Sequence, residues 1–127
     1  MRGDYATALQ EWRALAERGD AQAQHNLGVM YDEGYGVPVN DAEAVKWYRK
    51  AAEQGVATAQ VILGFTYGTG AGIPMNYVNA YMWYSFAKAQ GNEMAADNFG
   101  IVQKQMTPAQ ITEAQALATE MWEKHNN

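Results

Sequence analysis

The chain repeats itself with a period of 36 residues: Gly19 to Gln54 matches Gly55 to Gln90 at 16 of 36 positions. The shared positions include Gly19/Gly55, Ala23/Ala59, Leu27/Leu63, Gly28/Gly64, Tyr31/Tyr67, Gly34/Gly70, Gly36/Gly72, Pro38/Pro74, Asn40/Asn76, Ala44/Ala80, Trp47/Trp83 and Tyr48/Tyr84. A register of this length marks a supersecondary unit that cannot bury its apolar face alone and stacks on copies of itself. Forward, Gly91, Ala95 and Gly100 continue the series with Phe99 in the Leu27/Leu63 place. Gln103 then replaces the tyrosine, and Met106 and Pro108 replace the loop glycines, so the third copy breaks down after one helix. Backward, Ala6, Ala8, Arg13, Ala16 and Glu17 match Ala42, Ala44, Arg49, Ala52 and Glu53, so the chain opens on the second half of a repeat. The expected organisation is one domain over residues 1–127: a half repeat at 1–18, repeats at 19–54 and 55–90, a partial repeat at 91–106 and a C-terminal capping helix at 107–124.

Within one repeat, Ala23, Leu27, Met30 and Tyr31 recur at helical spacing, as do Ala59, Leu63 and Tyr67 in the next, which predicts a first helix, A. Gly34 with Gly36, and Gly70 with Gly72, stop it, because glycine tolerates the left-handed conformation common at helix C-termini. A second helix, B, is announced by Asp4, Asn40 and Asn76, residues whose side-chain oxygens accept from orphaned backbone N–H groups. Glu43 stands three residues after Asn40 in a capping-box pattern; Asn79 takes that place in the next copy. Along B the stripe Ala44, Trp47, Tyr48, Ala51 and its copy Ala80, Trp83, Tyr84, Ala87 alternate rings with small residues, which suits close antiparallel helix packing. Thr107-Pro108-Ala109-Gln110 starts a terminal helix, with Ile111, Ala114, Leu117, Ala118, Met121 and Trp122 on its apolar side.

The net charge of -5 is spread over both ends with basic residues interspersed. No lysine or arginine run could track a phosphate backbone, so nucleic acid is not an expected partner. With no cysteine, disulfides, thiolate catalysis and cysteine metal sites are excluded. No apolar run approaches the roughly 20 residues of a membrane span. The chain therefore reads as soluble: periplasmic or secreted if an export signal has been removed, otherwise cytoplasmic. Every residue from Gln54 to Ala87 is uncharged. A central repeat flanked on both sides needs few charges, and the same bareness also suits an apolar contact surface.

Chemistry-bearing groups are sparse. His25 and His125 are the only histidines, with no second ligand at zinc spacing, and each reads as a solvent-facing or tail residue. Asp32-Glu33 reads as helix-end solvation rather than as an acid and base, a role that needs a shifted pKa and an enclosing pocket. Gly68-Thr69-Gly70-Ala71-Gly72 lacks the lysine of a phosphate loop, and its twin Gly34-Tyr35-Gly36 marks it as a turn. The aromatics Trp47/Trp83, Tyr48/Tyr84 and Tyr31/Tyr67, held in register by the period, read as core. No catalytic residue, metal site or cofactor is expected, and the chain is not expected to be an enzyme.

The run G-x-x-x-A-x-x-x-L-G-x-x-Y-x-x-G-x-G-V-P-x-N from Gly19 to Asn40, followed by Ala44, Trp47 and Ala51-Ala52, resembles a Sel1-like repeat. The copy from Gly55 has isoleucine at the valine position and Ala87-Lys88 for the paired alanines. The extra glycine-rich loop and the period separate it from tetratricopeptide repeats, whose period is about 34 residues. The resemblance implies an all-α, right-handed superhelix of antiparallel helix pairs, about seven helices here, in a family of adaptors that are generally not enzymes. It also implies that Arg2-Gly3-Asp4-Tyr5 is the junction after a helix A, so that a longer natural chain is expected.

If the pairs stack as in tetratricopeptide proteins, the A helices line a concave side. The residues facing it are Gln22, His25, Val29, Asp32 and Glu33, then Thr58, Val61, Phe65, Gly68 and Thr69, then Met94, Asp97, Ile101 and Lys104, and they differ between copies. Val29, Phe65 and Ile101 would form an apolar line suited to an extended or helical peptide; alternatively they pack against the neighbouring A helix. The expected function is a protein-interaction module with a protein or peptide partner. The competing reading is a structural segment of a longer solenoid that self-associates, a homo-dimer through exposed solenoid ends included.

Overall fold

A computed structural model describes residues 4–126, together with the backbone alone of the last of these. Within that range seven helices form and no strand does: α1 (Tyr5–Glu17), α2 (Ala21–Glu33), α3 (Asp41–Glu53), α4 (Ala57–Thr69), α5 (Tyr77–Ala89), α6 (Glu93–Lys104) and α7 (Pro108–Asn126). The expected junction at Arg2-Gly3 lies outside the described residues. By its contacts the chain divides into two compact units, 1–56 and 57–127, at the border between the two clear repeats.

The helix boundaries follow from local chemistry. Asp4, Asn40 and Asn76 accept from the backbone N–H of Thr7, Glu43 and Asn79 at 3.2, 3.1 and 3.0 Å. Asp20 and Asn92 do the same for α2 and α6, accepting from Ala23 and Ala95 at 2.8 Å. The capping box expected at Asn40 and Glu43 is not closed, because the Asn40 N–H donates instead to the Tyr31 carbonyl at 2.9 Å, and Asn76 repeats this with Tyr67 at 2.8 Å. Those bonds tie the end of each loop to the helix before it. The box at Thr107 and Gln110 is complete in both directions, at 2.9 and 3.1 Å. Gly34 ends α2 in the left-handed region, φ 75°, its N–H donating to Met30.

In the first unit α1, α2 and α3 run antiparallel in turn. Gln24 near the start of α2 reaches Ala16 near the end of α1 and Gln54 at the end of α3, while Gly28 faces Tyr48. Ala16, Ala23, Leu27, Met30 and Trp47 make the core, with Leu9, Trp12 and Tyr31 partly buried on it. Gln24 is itself buried, and its donor and acceptor are both used: its amide reaches the Ala16 carbonyl at 3.2 Å, and it receives Gln54 at 2.9 Å. A buried amide left unpaired would cost roughly 1–3 kcal/mol.

In the second unit α4 and α5 form the same antiparallel pair, with Gln60 accepting from Gln90 at 2.9 Å and Gly64 against Tyr84. Here α5 is the centre: α4, α6 and α7 all pack on it. Val78, Ala80, Tyr81, Tyr84, Ala87, Ala95, Val102, Met106 and Ala114 form one core. The expected stripe of α7 holds as far as Met121. Ala114 is fully buried and Leu117 packs on the core, but Trp122 is 60% exposed. Helix α7 lies along α5, where Gln115 donates to the Tyr81 hydroxyl at 3.3 Å, and does not pack along α6. Only Gln105, Met106 and Thr107 link α6 to α7, and Met106 is buried in the core, which pins that link.

Candidate functional site

On α2 the expected contact residues do not share one environment. Gln22 is exposed and donates to Asn26 at 3.2 Å. Val29 is half-buried. His25 is not solvent-facing as its isolation in the sequence suggested: it is half-buried, its Nδ1 has no hydrogen-bond partner, and its ring lies 5.6 Å from that of Tyr48. Burial holds its pKa below the usual histidine value. Asp32 is exposed, yet it accepts from the Tyr48 hydroxyl at 3.5 Å. The Tyr48 phenol is raised first by burial, then by the Asp32 charge, the hydrogen bond to it and the Glu33 charge. Tyr48 therefore joins His25 to Asp32, a role its place in the core stripe concealed. The signal for it was the shared register of Gly28 with Tyr48 and of Gly64 with Tyr84, since a glycine inside a helix pattern marks a close approach.

On α4 and α6, which pack on one another, the expected line is more exposed. Phe65 is 55% exposed and Ile101 59%, at positions 36 residues apart, and Met94 is 62% exposed. Those values place Phe65 and Ile101 on the outside of the pair instead of in the packing between neighbouring A helices. Thr58, Asp97 and Lys104 are exposed too, whereas Val61 is half-buried against the core of the second unit. The middle stretch has a matching character on α5, where Tyr84 is buried in the apolar core and its phenol is pushed up to about 12 by that burial.

Elsewhere the aromatics are structural or paired. Tyr35 of the first glycine loop stacks on Tyr5, ring centroids 5.2 Å apart and 12° from parallel. Lys46 and Lys50 flank the buried Trp47 at 5.1 and 5.9 Å from its ring centre. His125 is exposed near the end of α7, its Nδ1 3.0 Å from the Met121 carbonyl. Among the described residues no group of three or more histidines and carboxylates is placed to hold a metal ion, and no helix is long and apolar enough to cross a membrane.

The Sel1 repeat family model matches residues 21–56 and 57–92. Among solved structures, a protective antigen present in uropathogenic Escherichia coli strains and displaying an SLR fold is 37% identical, with a TM-score of 0.85 over 93% of this chain and 26% of that one. A Sel1 repeat protein from Oxalobacter formigenes is 43% identical, with a TM-score of 0.72 over 75% of this chain and 39% of that one. The chain thus spans well under half the length of either protein. No protein of curated function matches.

Proposed function

The chain belongs to the Sel1 repeat family, whose members generally mediate protein–protein interaction, and we propose that it binds a peptide or protein partner on the outward positions of its A helices. The observation that carries this reading is the pair Phe65 and Ile101. They hold equivalent places on α4 and α6 and are more than half exposed, while the repeated Ala59, Leu63 and Gly64 of α4 and Ala95 of α6 are buried. Large apolar groups left outside a core at regular spacing are what a helix-packing module offers to a partner. Thr58, Asp97 and Lys104 border the pair and set polarity around it. Gln22, His25, Val29 and Asp32 hold the corresponding register on α2 of the first unit, where the exposed Gln22 and Asp32 and the half-buried His25 and Val29 are proposed to contact a partner in their own right. No reaction is assigned: the histidine and tyrosines whose protonation is perturbed owe it chiefly to burial, which moves them away from neutral pH.

Phe65→Asp tests the reading. Capture of a partner from the native source should be lost in the variant, while helicity and melting temperature stay nearly unchanged. A large drop in melting temperature would make Phe65 a core residue and sink the assignment.

A further inference from the structure

In the two complete helix pairs a glycine of the first helix receives a tyrosine ring from the second. A Cβ placed on Gly28 would stand 2.6 Å from the Tyr48 ring, and one on Gly64 would stand 2.6 Å from the Tyr84 ring. Gly100 holds the same register on α6, and a Cβ there meets nothing within 4 Å. Helix α7 has the spacing of a B stripe, Ala114, Leu117, Ala118 and Met121 against Ala80, Trp83, Tyr84 and Ala87, but Ala118 stands in the tyrosine's place and the helix lies along α5. The face that α2 and α4 close is therefore open on α6. Gln24, Leu27 and Gly28 are buried, whereas Ala96 and Gly100 are half-buried and Gln103 is exposed; Phe99, in the Leu27 place, is held by α5, its ring 4.5 Å from that of Tyr81 and Lys88 Nζ 4.3 Å from its centre.

The complete first pair also shows what surrounds such a ring. His25 lies against the Tyr48 ring and Asp32 accepts its hydroxyl. At those two registers α6 carries Asp97 and Lys104, both exposed and neither in an ion pair among the described residues. With Glu93 in its first turn, α6 is acidic toward its N-terminus and basic at its C-terminus. A helix running antiparallel to it would bring its own first turn to Lys104 and its last turn to Glu93 and Asp97. The complementary helix is thus acidic at its start and basic at its end, the distribution that α3 has with Asp41, Glu43 and Lys50 and that the helix dipole favours.

We propose that this open face of α6 is a docking site for one amphipathic helix of a protein partner. That helix runs antiparallel to α6, is acidic in its first turn and basic in its last, and seats a tyrosine over Gly100 with its hydroxyl at Lys104. The partner helix would complete the third pair in the way α3 completes the first. The face shares Asp97 and Lys104 with the surface proposed above but includes neither Phe65 nor Ile101, so Phe65→Asp distinguishes the two proposals.

A peptide with the sequence of residues 40–54 serves as the probe, titrated into the full chain and followed by backbone NMR. Saturable binding with shifts centred on α6 is expected. Gly100→Leu in the protein, or Tyr48→Ala in the peptide, should weaken it by about tenfold or more, the size of losing one anchoring aromatic contact. Phe65→Asp should leave it unchanged. Because the space at Gly100 is open and leucine is the better helix former, Gly100→Leu should not lower the melting temperature, and the peptide variant tests the same contact without touching the protein. Absence of saturable binding, or equal affinity for all these variants, would overturn the proposal. So would concentration-dependent dimerisation that Gly100→Leu abolishes, which would give the face to a second copy of this chain.

Discussion

Gly64 and Gly100 hold the same place on α4 and α6, within one compact unit, yet one is roofed by a tyrosine and the other is open. The difference shows that the glycine is half of a pair. Where α5 supplies Tyr84, any side chain on α4 would collide with the ring; where α7 supplies Ala118 and lies elsewhere, the glycine has lost its reason. The same repeated residue thus serves a close helix contact at one place and none at the other.

The contrast can be attacked from its closed side first. Tyr84→Ala turns Gly64 into a second Gly100 by removing a buried ring, and should cost about 3–5 kcal/mol in urea unfolding. A loss below about 1 kcal/mol would mean that the ring is not what closes the pair. Gly64→Ala should cost roughly 1–3 kcal/mol through the collision with Tyr84, less what alanine returns in helix propensity. Made on top of Tyr84→Ala, the same change should cost nothing. Gly100→Ala should move the other way and stabilise by about 0.5–1 kcal/mol, because alanine is the better helix former and nothing stands in its path. Equal destabilisation at both glycines would erase the contrast.

The smallest effect concerns the first pair, where His25 stands beside Tyr48 and the second pair has Val61 in that register. Burial lowers the folded-state pKa of His25, so below the unfolded value near 6.5 the unfolded chain binds the extra proton more readily and stability falls. His25→Val should flatten the decline in melting temperature between pH 7.5 and about pH 5, measured against the carboxylate background common to both proteins. An unchanged slope would show that His25 is as solvated in the folded chain as in the unfolded one.

Most of the architecture could be read from the residues. Leu27/Leu63, Trp47/Trp83 and Tyr48/Tyr84 recur at helical spacing and all six are buried, because burial at that spacing is what periodicity encodes. Gln24 and Gln60 repeat just as faithfully, yet a glutamine on a helix usually faces water. Partners far away in sequence, Gln54 and Gln90 among them, explain their burial. The exposure of Phe65 and Ile101 was one of two open readings, since helical spacing cannot say whether a neighbouring helix covers a position. The path of α7 was not legible either: its stripe fits a partner on one side, and which helix that partner is depends on the short pinned link through Met106. His25 escaped for a related reason, as its neighbour Tyr48 lies on a different helix.

The two indoles at the heart of the repeats have a practical consequence. Trp47 and Trp83 are buried in different units, and neither indole N–H has a hydrogen-bond partner in the protein. Replacing either with phenylalanine gives up no hydrogen bond within the protein, so its cost is that of setting a smaller ring in a packed core. Each unit thus carries its own removable fluorophore, shielded from water. Deleting one at a time, against a background free of Trp12 and Trp122, would let emission report the melting of each repeat separately.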